Sequence, residues 1–394
     1  MSRGAPILGY AWRTPLGATV EEGVRRLLAG ERAARQNDRF PVDTYACRLA
    51  APIAGAPGPS ADRRFLGRLG LFGAEVAREA LALATERSPG PRAPERLGLF
   101  CAVGGLRVRW DDLLPALAGQ QADGADAWNR GFRQLHPFWL LKHLSNNAHA
   151  RISIALRALG EGATFAGALA GAEAIAAATR ALAAGAVDRA LVVAYDSWIE
   201  PEILIDLAAR GVASHATAEG LSAPYDEAAA GVVPGEAAAA LVLGREDEGA
   251  LGWIAAASSA DGSLGEPSAA LLAEIAGRLL DRGPAGVVDG AARALPGDDA
   301  EERDTVGAVV GPDLPLLASP AAMASTGAAA PLVRAIALAE VLRRGVLPPI
   351  AGLRRAAPGP LRPLRAAERT EARAGIALFT GAPGLSGGIR VEVA

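Results

Sequence analysis

The chain has 394 residues, 40 basic and 43 acidic, for a formal charge of −3, and 51% of it is hydrophobic. That apolar content excludes a disordered chain, and the near-zero charge excludes the electrostatic footprint of a nucleic-acid binder. Two isolated cysteines, Cys47 and Cys101, exclude a disulfide scaffold and point to a reducing, cytoplasmic setting.

Short apolar strands alternate with amphipathic or alanine-rich helices. Pro6–Tyr10 reads as a strand, Thr14–Gly17 as a turn, and Val20–Ala29 as a helix capped by Thr19 with Glu21 and Glu22 favourable near its start. Ala50–Ile53 is expected as a short strand, Leu66–Ala84 as a long helix, and Leu97–Val103 as a strand ending at Gly104 and Gly105. Leu144–Leu159 reads as a helix stopped by glycines. Thr164–Phe165 leads into an alanine-rich helix that ends at Gly185. Glu173 and Arg180 interrupt this apolar stretch, so it reads as a packed internal helix and not a membrane span. Arg189–Ala194 has no alternation and reads as a buried strand. Pro201–Ala209 is a helix and Ala237–Leu243 a strand.

A polar seam at Gly244–Gly249 divides the chain into halves, 1–245 and 246–394. The second half opens with a strand at Leu251–Ser258. A helix at Ser268–Leu280, a strand at Gly286–Asp289, a helix at Asp299–Val306 and a strand at Gly307–Val310 follow. Gly327–Arg344 is a second alanine-rich helix. Gly375–Phe379 and Gly388–Val393 are expected as antiparallel strands. The weak self-similarity of the halves suits a duplicated α/β unit.

Short motifs carry little chemistry. Lys142 is the sole lysine, so no GxxxxGK phosphate loop exists. Gly384-Leu385-Ser386-Gly387-Gly388 matches GxSxG, but a nucleophile elbow needs a strand before it and a helix after it. Here Ser386 precedes a strand and reads as part of a glycine turn. His143 and His149 lie six apart and cannot share a helix face as an i, i+4 pair would. No cysteine or carboxylate cluster completes a metal site with them. Cys47 and Cys101 read as small buried hydrophobes.

The longer segments are more specific. ILGYAWRTPLGATVEEGVRRLLAGERAAR, RLGLFCAVGG, AGAEAIAAATRALAAGAVDRALVVAYDSW and SAPYDEAAAGVVPGEAAAALVLGRE resemble successive segments of the β-ketoacyl synthases. The resemblance implies a thiolase-like α/β fold, a duplicated α-β-α-β-α layered architecture. Members of that family use a cysteine at a helix N-terminus, two histidines and a lysine. The cysteine position falls on Ala168, three residues before Gly171. The lysine and one histidine of a Lys-Ser-x-x-Gly-His motif fall on Ser319 and Ala324. The other histidine falls on Gly290, or on Ala291 with the gap placed differently. The C-terminal glycine loop, Gly381–Gly388, departs as well.

What the resemblance implies is therefore a noncatalytic subunit similar to the chain-length factors of type II polyketide synthases, in which removal of the nucleophile leaves the dimer surface and the acyl cavity. Its partners would be a catalytic ketosynthase, in a heterodimer, and an acyl carrier protein that brings substrate on its phosphopantetheine arm. No bound cofactor, metal, nucleic acid or membrane is implied. The Ala194-Tyr195-Asp196-Ser197 run is similar to ketosynthase-like proteins of aryl-polyene clusters. Phe165, Ala168, Met323, Ser325 and Thr326 are the expected cavity residues. Two alternatives stand beside this reading: a repurposed acyltransferase or cyclase, with Ser325 as a hydroxyl in need of a base, and a homodimeric acyl-binding pseudoenzyme. His149 is expected to cap or pack its helix.

Overall fold

A computed structural model describes residues 4–89, 93–105, 133, 135–262, 268–381 and 384–394. The strands are β1 (Ala5–Arg13), β2 (Arg35–Gln36), β3 (Leu49–Ala50), β4 (Leu97–Val103), β5 (Gly162–Ala166), β6 (Arg189–Ser197), β7 (Glu236–Gly244), β8 (Trp253–Asp261), β9 (Val288–Asp289), β10 (Pro315–Leu317), β11 (Val346–Leu347), β12 (Arg362–Pro363), β13 (Glu368–Arg369), β14 (Ala374–Thr380) and β15 (Leu385–Glu392). The helices are α1 (Val20–Leu28), α2 (Arg68–Arg87), α3 (Trp139–His143), α4 (Asn147–Leu156), α5 (Ala170–Ala183), α6 (Pro201–Ala209), α7 (Ser268–Leu280), α8 (Pro296–Val310), α9 (Ser319–Met323) and α10 (Ala330–Arg344).

Eleven strands form one mixed sheet in the order β12-β10-β9-β14-β15-β8-β1-β7-β6-β4-β5. The strands before the glycine seam pair among themselves, and so do those after it. The link is a short antiparallel contact, Ala5 opposite Ile254 and Pro6 opposite Trp253. Helix α2 covers β1, β6 and β7, while α5 packs on β4, β6 and β8 and α10 on β7, β14 and β15. Helix α7 packs on β8, β14 and β15. This is the thiolase-like layering, with α5 and α10 as the internal helices.

Small residues make that layering possible. A Cβ on Gly171 at the start of α5 would lie 2.5 Å from the Ala328 carbonyl oxygen, at the lead-in to α10. The two internal helices therefore meet backbone to backbone. Strand β7, EAAAALVLG, is buried along its whole length, as the near-continuous apolar run of a two-sided strand requires.

Most elements fall where the sequence places them. Thr19 caps α1 by accepting from the Glu22 amide, and β4 and α6 occupy the expected residues. Thr14 and Gly17 exchange backbone hydrogen bonds in the expected turn, and β14 and β15 run antiparallel. Three expectations are corrected. Gly307–Val310 is the last turn of α8 and not a strand: Gly307 sits where a Cβ would meet Pro360 at 2.6 Å, and the helix ends at Gly311, φ 101°. The expected helix 144–159 is shorter, because α4 starts at Asn147 and left-handed Arg157 ends it. The expected strand 50–53 is β3, Leu49–Ala50, followed by an isolated bridge from Ala51 to Gly235; Thr164 and Phe165, which lead into α5 as expected, lie in strand β5, paired to β4. The first three residues and Ala382–Pro383 of the C-terminal loop lie outside the described residues.

Candidate functional site

The positions that the resemblance marks are brought together from distant parts of the chain. Ala168 precedes α5, Ser319 and Ala324 bracket α9, and Ala291 follows β9. All four line one cavity of about 90 Å³, together with Met323, Ser325 and Thr326. Of the two alternatives for the second histidine, Ala291 faces this cavity and Gly290 does not. A Cβ on Gly290 would lie 2.0 Å from the Tyr225 hydroxyl, so that position has no room for a side chain. Phe165 is also corrected: it sits on β5 and packs against the main core without lining the cavity.

Several lining residues escaped sequence reasoning, among them Trp198, Arg210 and Arg334. Arg334 is the most consequential. Its Nε donates to Asp289 Oδ2 at 2.6 Å, its Nη1 to the Leu378 carbonyl at 2.8 Å, and its Nη2 to the carbonyls of Asp289 and Gly290 at 2.7 and 2.6 Å. Ser319 donates its hydroxyl to the same Asp289 oxygen at 2.8 Å and its amide to the other at 2.9 Å. The guanidinium also stacks 4.6 Å over the Phe379 ring. Arg334 and Asp289 are both buried. The position marked for the lysine thus carries a serine inside a fully paired buried ion network. In an arginine-rich sequence nothing local distinguishes Arg334.

Asp196, from the singled-out Tyr-Asp run, forms a partition. Its carboxylate accepts from the Ser197 amide at 2.9 Å and, across the sheet, from the Ala328 amide at 3.0 Å. A Cβ on Gly104 or Gly327 would lie 2.1 or 2.0 Å from the carboxylate oxygens. Gly327 lines the first cavity. Gly104, Tyr195 and Asp196 line a second cavity of about 500 Å³ that also holds Lys142 and His143. It lies past the C-terminal ends of the parallel strands β4 and β6, the usual place for a ligand in an α/β sheet.

The backbone around the first cavity is strained. Among the described residues, four of the six non-glycine residues with positive φ are Tyr225, Ala292, Ala294 and Ala324. Buried carboxylates hold two of them, Tyr225 and Ala292. Glu302 accepts from the Ala291 and Ala292 amides at 2.6 and 3.3 Å and from the Tyr225 hydroxyl at 3.0 Å. Asp299 accepts from the Tyr225 amide at 2.8 Å. Ala324, with φ 60° and ψ −170°, occupies a region kept almost wholly for glycine. Ala324→Gly is therefore expected to stabilise the chain by about 1 kcal/mol, relieved strain outweighing glycine's entropy; urea unfolding measures it.

Burial, reinforced by neighbouring Glu302 and Asp298, pushes the Asp299 carboxyl up to about 7. The native state then keeps a proton that the unfolded chain gives up near pH 4. The resulting stabilisation is complete below pH 4 and gone above about pH 7. Asp299→Asn should gain on the parent by up to roughly 4 kcal/mol as the pH rises from 4 to 8, read from urea midpoints across that range.

Ser386, His149, Cys47 and Cys101 do not line the first cavity. Ser386 lies within β15, buried and, among the described residues, without a hydrogen-bond partner for its hydroxyl, which is no nucleophile elbow. His149 Nδ1 lies 3.1 Å from the Thr164 hydroxyl, tying α4 to β5, and burial lowers its pKa. Cys47 and Cys101 are both buried, and burial raises both thiols above the ordinary value. Among the described residues no His, Cys, Asp or Glu group could hold a metal ion, and no helix is long and apolar enough to cross a membrane.

The sequence profile described as "Beta-ketoacyl synthase, N-terminal domain" matches residues 5–249. No curated protein matches the sequence. Among solved structures, the chain is similar to a beta-ketoacyl synthase from Burkholderia phymatum STM815, with TM-score 0.85 and 18% identity. It is also similar to the ishigamide ketosynthase/chain length factor, with TM-score 0.84 and 20% identity. A third is AntDE:AntF, a type II PKS acyl-carrier protein in complex with its ketosynthase bound to the hexaketide, with TM-score 0.82 and 15% identity. All three are covered over 100% of both chains. Identities this low carry the fold.

Proposed function

Because the chain belongs to the β-ketoacyl synthase family, we propose that it acts as a noncatalytic subunit that pairs with an active ketosynthase and shapes the cavity for a growing acyl chain. The observation that carries this reading is the single cavity on which Ala168, Ala291, Ser319 and Ala324 converge. The cysteine, histidine and lysine chemistry of the family has no counterpart in those side chains. The scaffold around them is intact and well paired, which favours retention for a purpose other than condensation. Ser325 lines the cavity but hydrogen-bonds no base among the described residues, which weighs against the repurposed-enzyme alternative.

The partner role has a surface to use. Among the described residues, strand β5 is an edge of the sheet, bonded to β4 alone. Of the seven exposed large hydrophobics among the described residues, five lie in the segment leading to it: Phe138, Leu140, Leu144, Ile154 and Leu159. An open sheet edge and exposed apolar side chains both favour a partner. One similar structure is a ketosynthase/chain length factor and another a ketosynthase with its acyl-carrier protein, which supports both partners for this chain. Substrate would arrive on the carrier's phosphopantetheine arm, without a resident cofactor, in the cytoplasm.

Co-expression with an intact ketosynthase from the same organism, followed by native mass measurement, tests the reading. A stable 1:1 pair is expected. A separate homodimer with no association at micromolar concentration overturns it.

A further inference from the structure

A smaller cavity, of about 40 Å³, adjoins the first, and Ala292, Ala324 and Ser325 belong to the walls of both. Arg32, from the loop after α1, lines this second space together with Ser222. Arg32 donates to the Leu221 carbonyl, but among the described residues no carboxylate pairs with it. The charge that acts on it is a second guanidinium, Arg354, which adds to burial in lowering its pKa. Arg293, also in the wall, is already neutralised by Asp298. Ser222 is 6% exposed, and neither its hydroxyl nor that of Ser325 has a hydrogen-bond partner among the described residues.

A half-buried guanidinium without a counter-charge is costly, and a like-charged neighbour makes it more so. Its planar fork, with two unpartnered hydroxyls close by, matches an oxyanion that supplies the missing charge and accepts their protons in hydrogen bonds. The space holds a headgroup only. Any tail would have to pass the methyl groups of Ala292 and Ala324 into the larger cavity, of about 90 Å³.

We propose that Arg32, Ser222 and Ser325 form a binding site for a short carboxylate, with its headgroup at Arg32 and its apolar tail between Ala292 and Ala324. Phosphate shares the headgroup chemistry but has no tail to place there. The site lies within one chain, so its test needs no partner, and its failure leaves the pairing proposal standing.

Ligand-observed NMR titrations with butyrate, acetate and inorganic phosphate, at constant ionic strength, test it on the full chain. Butyrate is expected to bind saturably and several-fold more tightly than acetate or phosphate. Arg32→Gln should weaken butyrate at least tenfold and Ser222→Ala several-fold, while Arg25→Gln, an exposed arginine on α1, changes nothing. Should Arg32→Gln fail to fold, Ser222→Ala carries the comparison. Absence of saturable binding overturns the site, as does equal weakening by Arg25→Gln or a Ser222→Ala variant that binds like the parent. Phosphate binding more tightly than butyrate overturns the assignment of a carboxylate with a tail.

Discussion

Arg334→Met is expected to destabilise the protein by about 3–5 kcal/mol, the cost of leaving one member of a buried ion pair alone. The substitution strands more than Asp289. The carbonyls of Leu378, Asp289 and Gly290 each lose a donor, and the Phe379 ring loses its cation. These groups belong to β14, to β9 and to the turn that follows it, so the loss loosens the joint between α10 and the second half of the sheet. Asp289→Asn combined with Arg334→Met should recover part of the loss, because it removes the stranded charge. Urea unfolding of the two single variants and the double variant measures the coupling. A coupling energy near zero would mean that Arg334 acts through packing and not through the pair.

Ile154→Asp together with Leu159→Asp is expected to weaken pairing with a ketosynthase by at least 100-fold while leaving the isolated chain folded. Both side chains are more than half exposed, at 66% and 56%, so their replacement costs the monomer little. At an interface, an apolar residue that becomes an unpaired carboxylate costs about 2 kcal/mol or more, roughly 30-fold each. Analytical ultracentrifugation of the mixed subunits reads the dissociation constant. Ile205→Asp, at an equally exposed residue on α6 far along the chain from β5, is the matched control and should leave pairing unchanged.

The sequence by itself determined the elements whose signals are local. Strand β4 could be located to the residue because a strand buried on both faces reads as a continuous apolar run between glycines and turn residues. Helices α1 and α6 announce themselves by Thr19 and Pro201 at their starts. The run of alanines in α5 implies close backbone packing, because nothing larger fits. The absence of cysteine at 168 and of histidine at 324 is equally a property of the chain alone.

Only the tertiary structure decided which residues share a space. Gly307–Val310 reads as a strand in isolation, but α8 carries on through it and places Gly307 against Pro360, an exchange that no short window contains. Ala291 and not Gly290 faces the cavity because Tyr225, 65 positions earlier in the chain, fills the room at 290. Arg32, Arg210 and Arg334 are three arginines among many, with no local mark. What sets them apart is the company the fold gives them: a carboxylate for Arg334 and, among the described residues, none for Arg32. Burial and pairing are sums over neighbours brought from both halves of the sheet, and those neighbours are chosen by strand register and by the crossing of α5 and α10.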